Sequence, residues 1–170
     1  MHNDFILVGP ATDPVGVRGS SDIVAALRRI ADQQAKFISR GDNSGTDQME
    51  KSFWPLVGVA PAGAPWYMSA GLGIGEVLTM AAEVQGYTLT DRGTYAAYRA
   101  KSGLQIEVAG DARLFNPYSV IAVNPAKYPD IDFQDATAFS DWLVSPEGQQ
   151  AIAGFRIDGE QVFFPDAAAP

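Results

Sequence analysis

The stretch FISRGDNSGTDQMEKSFW, residues Phe37–Trp54, carries the most informative pattern of this sequence. Apolar residues lead into Arg40, small and polar residues follow, and from Thr46 the composition favours a helix. This order predicts a strand, a loop and a helix. Because the first N–H groups of a helix lack intrahelical acceptors and lie at its positive end, such a loop is suited to an anion.

Residue types in this loop fit that interpretation, since glycines allow close backbone approach and hydroxyl and guanidinium groups donate hydrogen bonds. The residues concerned are Gly41, Gly45, Ser44, Thr46 and Arg40. A purely structural explanation stays open at this point. Ser44 followed by Asp47 resembles a capping box, and Arg40 can pair with Asp42 on the surface.

Strand-like and helix-like segments alternate along the rest of the chain, which predicts an α/β fold with a mixed or parallel sheet. Short apolar or alternating runs predict the strands DFILVGP, KFIS, YTLTD, LQIEVAG and NPYSVIAVNP. Capping residues predict that Ser21 or Asp22 caps the first helix and that Thr90 caps the fourth. Helix-ending residues predict that Pro55 ends the second helix and that Gly86 ends the third. Ser145-Pro146 is predicted to divide the last two helices.

Two further segments join a strand or loop to a helix. WYMSAGLGIG, Trp66–Gly75, presents spaced glycines and Ser69 before a helix. Its spacing fits neither a dinucleotide fingerprint nor a P-loop, and a glycine-rich turn for tight helix packing explains it equally well. In YTLTDRGTY, helix capping and a surface charge pair between Asp91 and Arg92 are favoured over a ligand site.

The composition excludes several classes of function. The net charge of −8 argues against nucleic acid as a partner, because nucleic-acid binding needs a basic face. Cysteine is absent and His2 is the one histidine, so thiolate metal sites and histidine-based triads have no support. No nucleophile–base pair is evident, so we expect no catalytic residue, no metal and no cofactor.

The N-terminus MHNDFILVGP lacks the basic and long apolar regions of a signal peptide. No apolar run approaches the roughly 20 residues of a membrane span. The sequence alone therefore predicts either a cytoplasmic protein or a processed or truncated piece of a longer one.

Several segments occur together, and in this order, in a known family: FISRGDNSGT, EKSFW, WYMSAGLGIG, YTLTDRGTYAAY, NPYSVIAVNP, DWLVSPEGQQAI and FFPDA. Together they resemble the tungstate-binding periplasmic component of ABC transporters, a two-lobed class of substrate-binding protein. The resemblance covers essentially the whole chain. The loop SRGDNSGT is the less specific part, since phosphate-binding relatives carry a similar one.

This resemblance implies a periplasmic-binding-protein-like fold of type II, with a mixed sheet and flanking helices. Residues 1–7 would be a crossover strand, 8–115 the complete second, anion-binding lobe, and 116–170 a C-terminal segment of the first lobe. Family members carry a further N-terminal part of the first lobe that contributes ligands from the other side of the cleft. We therefore expect weak or no oxyanion affinity for this chain alone.

Carried over residue by residue, the resemblance makes Arg40 and Thr46 the leading candidate ligands, followed by Ser39, Ser44 and Gly45. Asp42 and Ser69 would lie next to these ligating residues rather than bind the ligand directly. The implied ligand is a tetrahedral oxyanion, either tungstate or molybdate. Asp42 is the residue that would accept the proton of phosphate if the site bound phosphate instead.

The function implied is that of a solute-binding component with no catalysis, which delivers its ligand to a membrane permease. Its place would be the periplasm or the outer face of a membrane. Two alternatives stay open, a binder of phosphate-type oxyanions and an interaction module that uses the partial lobe. Uncovered apolar surface around NPYSVIAV and FFP also predicts association of two copies.

Overall fold

The computed structural model describes residues 1–167, and residues 168–170, the end of the segment assigned to 116–170, lie outside the described residues. The chain divides into two compact units. One is Asp4–Asn116, and the other is Met1–Asn3 with the chain after Asn116. The assignment of lobes to residues 1–7, 8–115 and 116–170 stays a prediction.

The strands are β1 (His2–Gly9), β2 (Phe37–Ser39), β3 (Tyr67–Ser69), β4 (Thr88–Asp91), β5 (Gln105–Val108), β6 (Phe115–Pro117), β7 (Arg156–Ile157) and β8 (Glu160–Gln161). The helices are α1 (Ile23–Asp32), α2 (Gly45–Val57), α3 (Ile74–Val84), α4 (Arg92–Ser102), α5 (Phe133–Val144) and α6 (Pro146–Gly154). Strand β1 pairs antiparallel with β4 and β5 and also pairs with β6. Strands β2 and β3 pair in parallel, and β7 and β8 form a hairpin. The predicted mixed α/β fold is confirmed.

From Asp4 onwards, strand β1 lies at the centre of the larger unit. Alternate side chains of a strand point to opposite faces, so its continuous apolar run supplies two cores. Phe5 and Leu7 belong to one cluster, which includes apolar residues of α1 and α2. Ile6 and Val8 belong to the other, which includes residues of α3 and α4. The prediction of a buried strand at DFILVGP is therefore confirmed.

Two of the predicted helix ends are confirmed. Asp22 caps α1 by accepting a hydrogen bond from the Ala25 N–H at 3.0 Å. Ser145 separates α5 from α6 and caps α6, with Pro146 as its first residue. Proline fits there because the first N–H of a helix has no intrahelical acceptor.

Three predicted ends are wrong. Helix α2 continues through Pro55 to Val57. Proline in the last turn removes only one helical hydrogen bond, so the helix tolerates it. Gly58, in the left-handed conformation, then ends the helix. Gln85, at φ 54°, occupies the position expected for Gly86 at the end of α3. Asp91, not Thr90, caps α4 by accepting from the Thr94 N–H at 2.9 Å.

The strand predicted at NPYSVIAVNP is also wrong. Only Asn116 and Pro117 of that run belong to a strand, and residues 118–130 are all exposed. An apolar run forms a strand only where a neighbouring strand satisfies its backbone groups. Within residues 1–167 no strand pairs with residues 118–124.

The smaller unit carries much exposed apolar surface. Its exposed large side chains among the described residues are Tyr118, Val120, Ile121, Val123, Tyr128, Phe133, Phe139, Trp142, Val144, Phe155 and Phe164. Association of two copies through this surface stays a prediction. Within the described part of the chain, no helix has the length and apolar character needed to cross a membrane.

Candidate functional site

The candidate site lies where two neighbouring parallel strands end. Ser39, the last residue of β2, is paired in register with Ser69, the last residue of β3. Each strand is followed by a loop and then a helix, α2 and α3 respectively. The carboxyl ends of parallel strands meet at one edge of a sheet, which is where ligands of α/β proteins commonly bind.

Main-chain hydrogen bonds join the two loops. The carbonyl oxygen of Arg40 accepts from the N–H groups of Gly71 at 2.7 Å and Leu72 at 3.2 Å. Gly41 has φ +66°, and a Cβ atom built there would lie 2.1 Å from the Ser69 hydroxyl oxygen. The loop after β2 and the loop after β3 are therefore in direct contact.

The Asp47 carboxylate holds the first loop in shape. Its Oδ1 accepts from the Gly41 N–H at 2.9 Å, and its Oδ2 accepts from the Asn43 N–H at 3.0 Å and from the Lys51 ammonium at 2.6 Å. Gly41 and Asn43 both adopt left-handed backbone conformations. Because the Asp47 side chain is fully buried, these bonds shape the loop from inside the protein.

Asp47 stays ionised although it is buried. Burial acts to raise the pKa of Asp47, but the Lys51 ammonium and the N–H groups of Gly41 and Asn43 together outweigh it, so this pKa lies below its usual value. The capping-box interpretation is correct in part. Ser44 accepts from the Asp47 N–H at 3.3 Å as a helix cap, while the Asp47 carboxylate binds the loop.

Ser39 is placed behind the loop, among carboxylates. Its side chain is buried, and its hydroxyl group lies within hydrogen-bond distance of Glu50 and, at 3.3 Å, of Asp47. Glu50 also accepts from the Trp54 indole and from the Tyr67 hydroxyl. Burial raises the pKa of Glu50, and the hydrogen bonds from Ser39, Trp54 and Tyr67 offset this only in part. A role of Ser39 as a ligand stays a prediction.

Arg40 and Asp42 form the ion pair that the sequence left open. The Arg40 Nη2 donates to Asp42 Oδ2, and the two side chains are 15% and 24% exposed. The Arg40 Nε is buried and has no acceptor among the described residues. Leaving a guanidinium donor buried and unpaired is unfavourable, so this N–H indicates a place for a further acceptor.

Asp42 is held by donors of the loop. Its Oδ1 accepts from the Ser44 N–H at 3.1 Å. Hydrogen bonding from Ser44 is the main reason that the pKa of Asp42 lies below its usual value, with partial burial acting the other way and Arg40 adding to the decrease. The carboxylate is therefore ionised at neutral pH.

Further unused donors lie at the start of α2. The N–H groups of Gly45 and Thr46 occupy the first turn, and no residue described in the structure accepts a hydrogen bond from them. The hydroxyls of Thr46 and Ser69 likewise make no hydrogen bond within residues 1–167. The arrangement offers hydrogen-bond donors and one cation to a ligand.

A groove, the arrangement of possible metal ligands and the position of His2 complete the description of candidate sites. A groove of about 720 Å³ is lined by residues of α2, the loop 59–63 and β3. Its lining includes Ser69, predicted in a supporting role, and none of the predicted ligands. Among the described residues there is no group of three acidic or histidine side chains placed to hold a metal ion. His2 pairs with Asp166 at 2.6 Å, in the smaller unit.

Sequence reasoning misses the network behind the loop. The sequence pattern identifies Asp47 only as part of a helix cap, and it does not point to Glu50, Lys51 or Tyr67. The spacing of Asp47, Glu50 and Lys51 on one helix is an available signal, because residues three and four apart share a helix face. Their contacts to β2 and β3 depend on tertiary structure.

Comparison with known proteins identifies a family model and relatives that this chain resembles. The family model described as a PBP superfamily domain matches residues 1–147. The chain is 48% identical to the tungstate-binding protein TupA of Peptoclostridium acidaminophilum, over 99% of the chain and 60% of the relative. It is 37% identical to TupA of Campylobacter jejuni, over 98% of the chain and 63% of the relative.

The chain is also similar to solved structures. The tungstate-binding protein TupA from Desulfovibrio alaskensis G20 is 46% identical to the chain, with a TM-score of 0.84 over 99% of the chain and 69% of that protein. The chain spans between 50% and 63% of the length of the curated relatives it matches.

Proposed function

The chain belongs to the PBP superfamily, and we propose that it is the oxyanion-binding part of the solute-binding component of an ABC transporter, with tungstate or molybdate as its ligand. The observation that carries this proposal is the buried Arg40 Nε without an acceptor among the described residues, next to the start of α2. Relatives that share 37% to 48% identity are named as tungstate-binding proteins, which supports the choice of ligand.

The ligand contacts follow from the donors that are unused. Arg40 would supply its guanidinium group, Gly45 and Thr46 their N–H groups, and Thr46 its hydroxyl. Ser44 would act through its N–H after release from Asp42, and Ser69 would lie at the rim. Because hydrogen bonds to charged groups are the stronger kind, a few such donors suffice against the net negative charge of the chain.

The nature of these donors favours a fully deprotonated dianion. Tungstate and molybdate carry no proton at neutral pH and need donors only. Hydrogen phosphate keeps one proton and leaves it unpaired unless an acceptor faces it, which discriminates against it. Both carboxylates near these donors already accept hydrogen bonds: Asp42 accepts from Arg40 and Ser44. Asp47 accepts from Gly41, Asn43 and Lys51. Tungstate is therefore favoured over a phosphate-type ligand.

The proposal also includes a partner and a place. A solute-binding component delivers its ligand to a membrane permease, and it works in the periplasm or at the outer face of the membrane. It performs no chemistry on the ligand. This agrees with the relatives, which are named as binding proteins.

Titration of the isotope-labelled chain with sodium tungstate, followed by amide NMR, tests the proposal. This assay detects binding as weak as a Kd of about 1 mM and also locates it. We expect saturable shifts of the Gly45 and Thr46 amides, smaller shifts with phosphate, and loss of the response in Arg40→Ala. Arg29→Ala is the matched control, because it removes the same charge from an exposed position on α1. No saturable shift of any loop amide with tungstate or molybdate would overturn the proposal.

A further inference from the structure

We infer that the Asp42 carboxylate is an internal competitor for the oxyanion: it occupies the Arg40 guanidinium and the Ser44 N–H group until the ligand displaces it. The inference rests on the proposed function. It assigns to Asp42 a role opposed to that of a ligand, because removal of this carboxylate should strengthen binding.

The contacts of Asp42 are those that a bound anion would make. One carboxylate oxygen accepts from the Arg40 guanidinium, and the other accepts from the Ser44 N–H at the start of α2. The negative charge therefore lies at the positive end of a helix and beside a cation, where a free anion is stabilised. Asp42 holds this place through its own side chain.

Asp42 satisfies the guanidinium only in part. Arg40 uses Nη2 for the carboxylate, while its Nε stays buried without an acceptor within residues 1–167. A two-oxygen carboxylate fixed at residue 42 does not reach both nitrogens in this geometry. A tetrahedral anion with four oxygens can accept from Nε and Nη2 together and also from the N–H groups of Gly45 and Thr46.

The second acid of the loop has the opposite role. Asp47 is fully buried and accepts hydrogen bonds from Gly41, Asn43 and Lys51, so it cannot leave without disrupting the loop. Asp42 is about a quarter exposed and can turn towards water. Two acids within five positions of the chain thus differ in role, since one fixes the loop and the other competes at it.

The size of the effect follows from the strength of a partly exposed ion pair. Such a pair is worth up to about 1 kcal/mol, and 1.4 kcal/mol corresponds to a tenfold change in affinity. Breaking the pair before binding therefore weakens affinity by up to about fivefold. Like-charge repulsion between Asp42 and a dianion acts in the same direction.

The test compares two isosteric changes that remove the same charge, Asp42→Asn and Asp47→Asn. Calorimetric titration of the full chain with sodium tungstate should give tighter binding for Asp42→Asn, by up to about fivefold. Asp47→Asn should bind more weakly and unfold at a lower urea concentration. A gain in affinity is not produced by structural damage, so it separates competition from a general structural role. Asp42→Ser serves as a second variant, since its hydroxyl can still accept from Ser44 if asparagine perturbs folding.

Each outcome has a definite meaning. If the unchanged chain binds tungstate and the folded Asp42 variants bind equally or more weakly, the competitor role is wrong and the proposed function stands. If Asp42→Asn gives measurable calorimetric binding while the unchanged chain shows saturable amide shifts but binds too weakly for calorimetry, the competitor role is supported at its strongest. If neither binds any oxyanion, the proposed function fails, and the competitor role fails with it because there is no ligand to displace.

Discussion

Replacement of Gly41 by alanine tests how the loop geometry depends on its backbone. Gly41 adopts φ +66°, in the left-handed region that favours glycine. A Cβ atom at this position would lie 2.1 Å from the Ser69 Oγ, 3.3 Å from the Ser69 Cβ and 3.3 Å from the Gly71 nitrogen. Alanine therefore meets both an unfavourable dihedral angle and a crowded neighbour.

The magnitude follows mainly from the backbone. An L-residue in the left-handed conformation costs roughly 1–2 kcal/mol. The Ser69 hydroxyl can turn away by rotation about χ1, so its overlap adds little, while the contact to the Gly71 nitrogen is tight and adds some strain. We expect Gly41→Ala to lower the free energy of unfolding of the unit Asp4–Asn116 by about 1–2 kcal/mol.

The assay is urea unfolding followed by tryptophan fluorescence. Trp142 lies in the smaller unit, so a Trp142→Phe background leaves Trp54 and Trp66 as reporters of the larger one. Gly45→Ala is the matched control, because a Cβ atom at residue 45 would have no neighbouring atom within 4 Å and the backbone angle there is ordinary. It should leave stability unchanged or raise it by about 0.5 kcal/mol. Equal unfolding midpoints for Gly41→Ala and Gly45→Ala would refute the reasoning.

Three further predictions concern single side chains. Thr46→Val should weaken tungstate binding about tenfold, because it removes a hydroxyl that would donate to a charged ligand. The midpoint of urea unfolding should stay unchanged. A Kd by calorimetry equal to that of the unchanged chain would contradict this prediction. Burial raises the pKa of Glu50 above its usual 4.5, so folding disfavours the ionised carboxylate. The stability of Glu50→Gln relative to the unchanged chain should therefore increase as pH rises above 4.5. A stability difference from urea unfolding that does not change with pH would refute this. The hydrogen bond from Arg113 is the main cause that lowers the pKa of Asp111 from 3.8 to about 2, against the effect of its burial, so ionised Asp111 stabilises the fold above pH 3.8. Asp111→Asn should cost about 2 kcal/mol at pH 7, and this difference in unfolding free energy should shrink as pH falls from 3.8 towards 2; a difference independent of pH would exclude the explanation.

Local signals account for what the sequence predicted correctly. The run from β2 through the loop to α2 is contiguous, so apolar content, glycine and a capping serine were enough to predict strand, loop and helix. The same holds for Asp22 before α1 and Ser145-Pro146 before α6, where a cap acts within one helical turn.

Contacts between distant residues account for what could not be predicted. Nothing in the local sequence indicates that Arg40 accepts hydrogen bonds from Gly71 and Leu72, because that contact needs β2 and β3 to pair in parallel. Tyr67 reaches Glu50 across the same pairing. The apolar run at residues 118–124 is evident from the sequence. A strand also needs a neighbouring strand to satisfy its backbone groups, and the local sequence does not show whether one is present.

The division between backbone and side-chain contacts at the loop has a consequence for engineering. The shape of the loop depends on the Asp47 carboxylate and on the main-chain hydrogen bonds that the Arg40 carbonyl oxygen accepts from Gly71 and Leu72. The side chains of Arg40, Thr46 and Ser69 are not part of that support. A library that varies positions 40, 46 and 69 together can therefore search for altered anion preference on a loop that keeps its conformation.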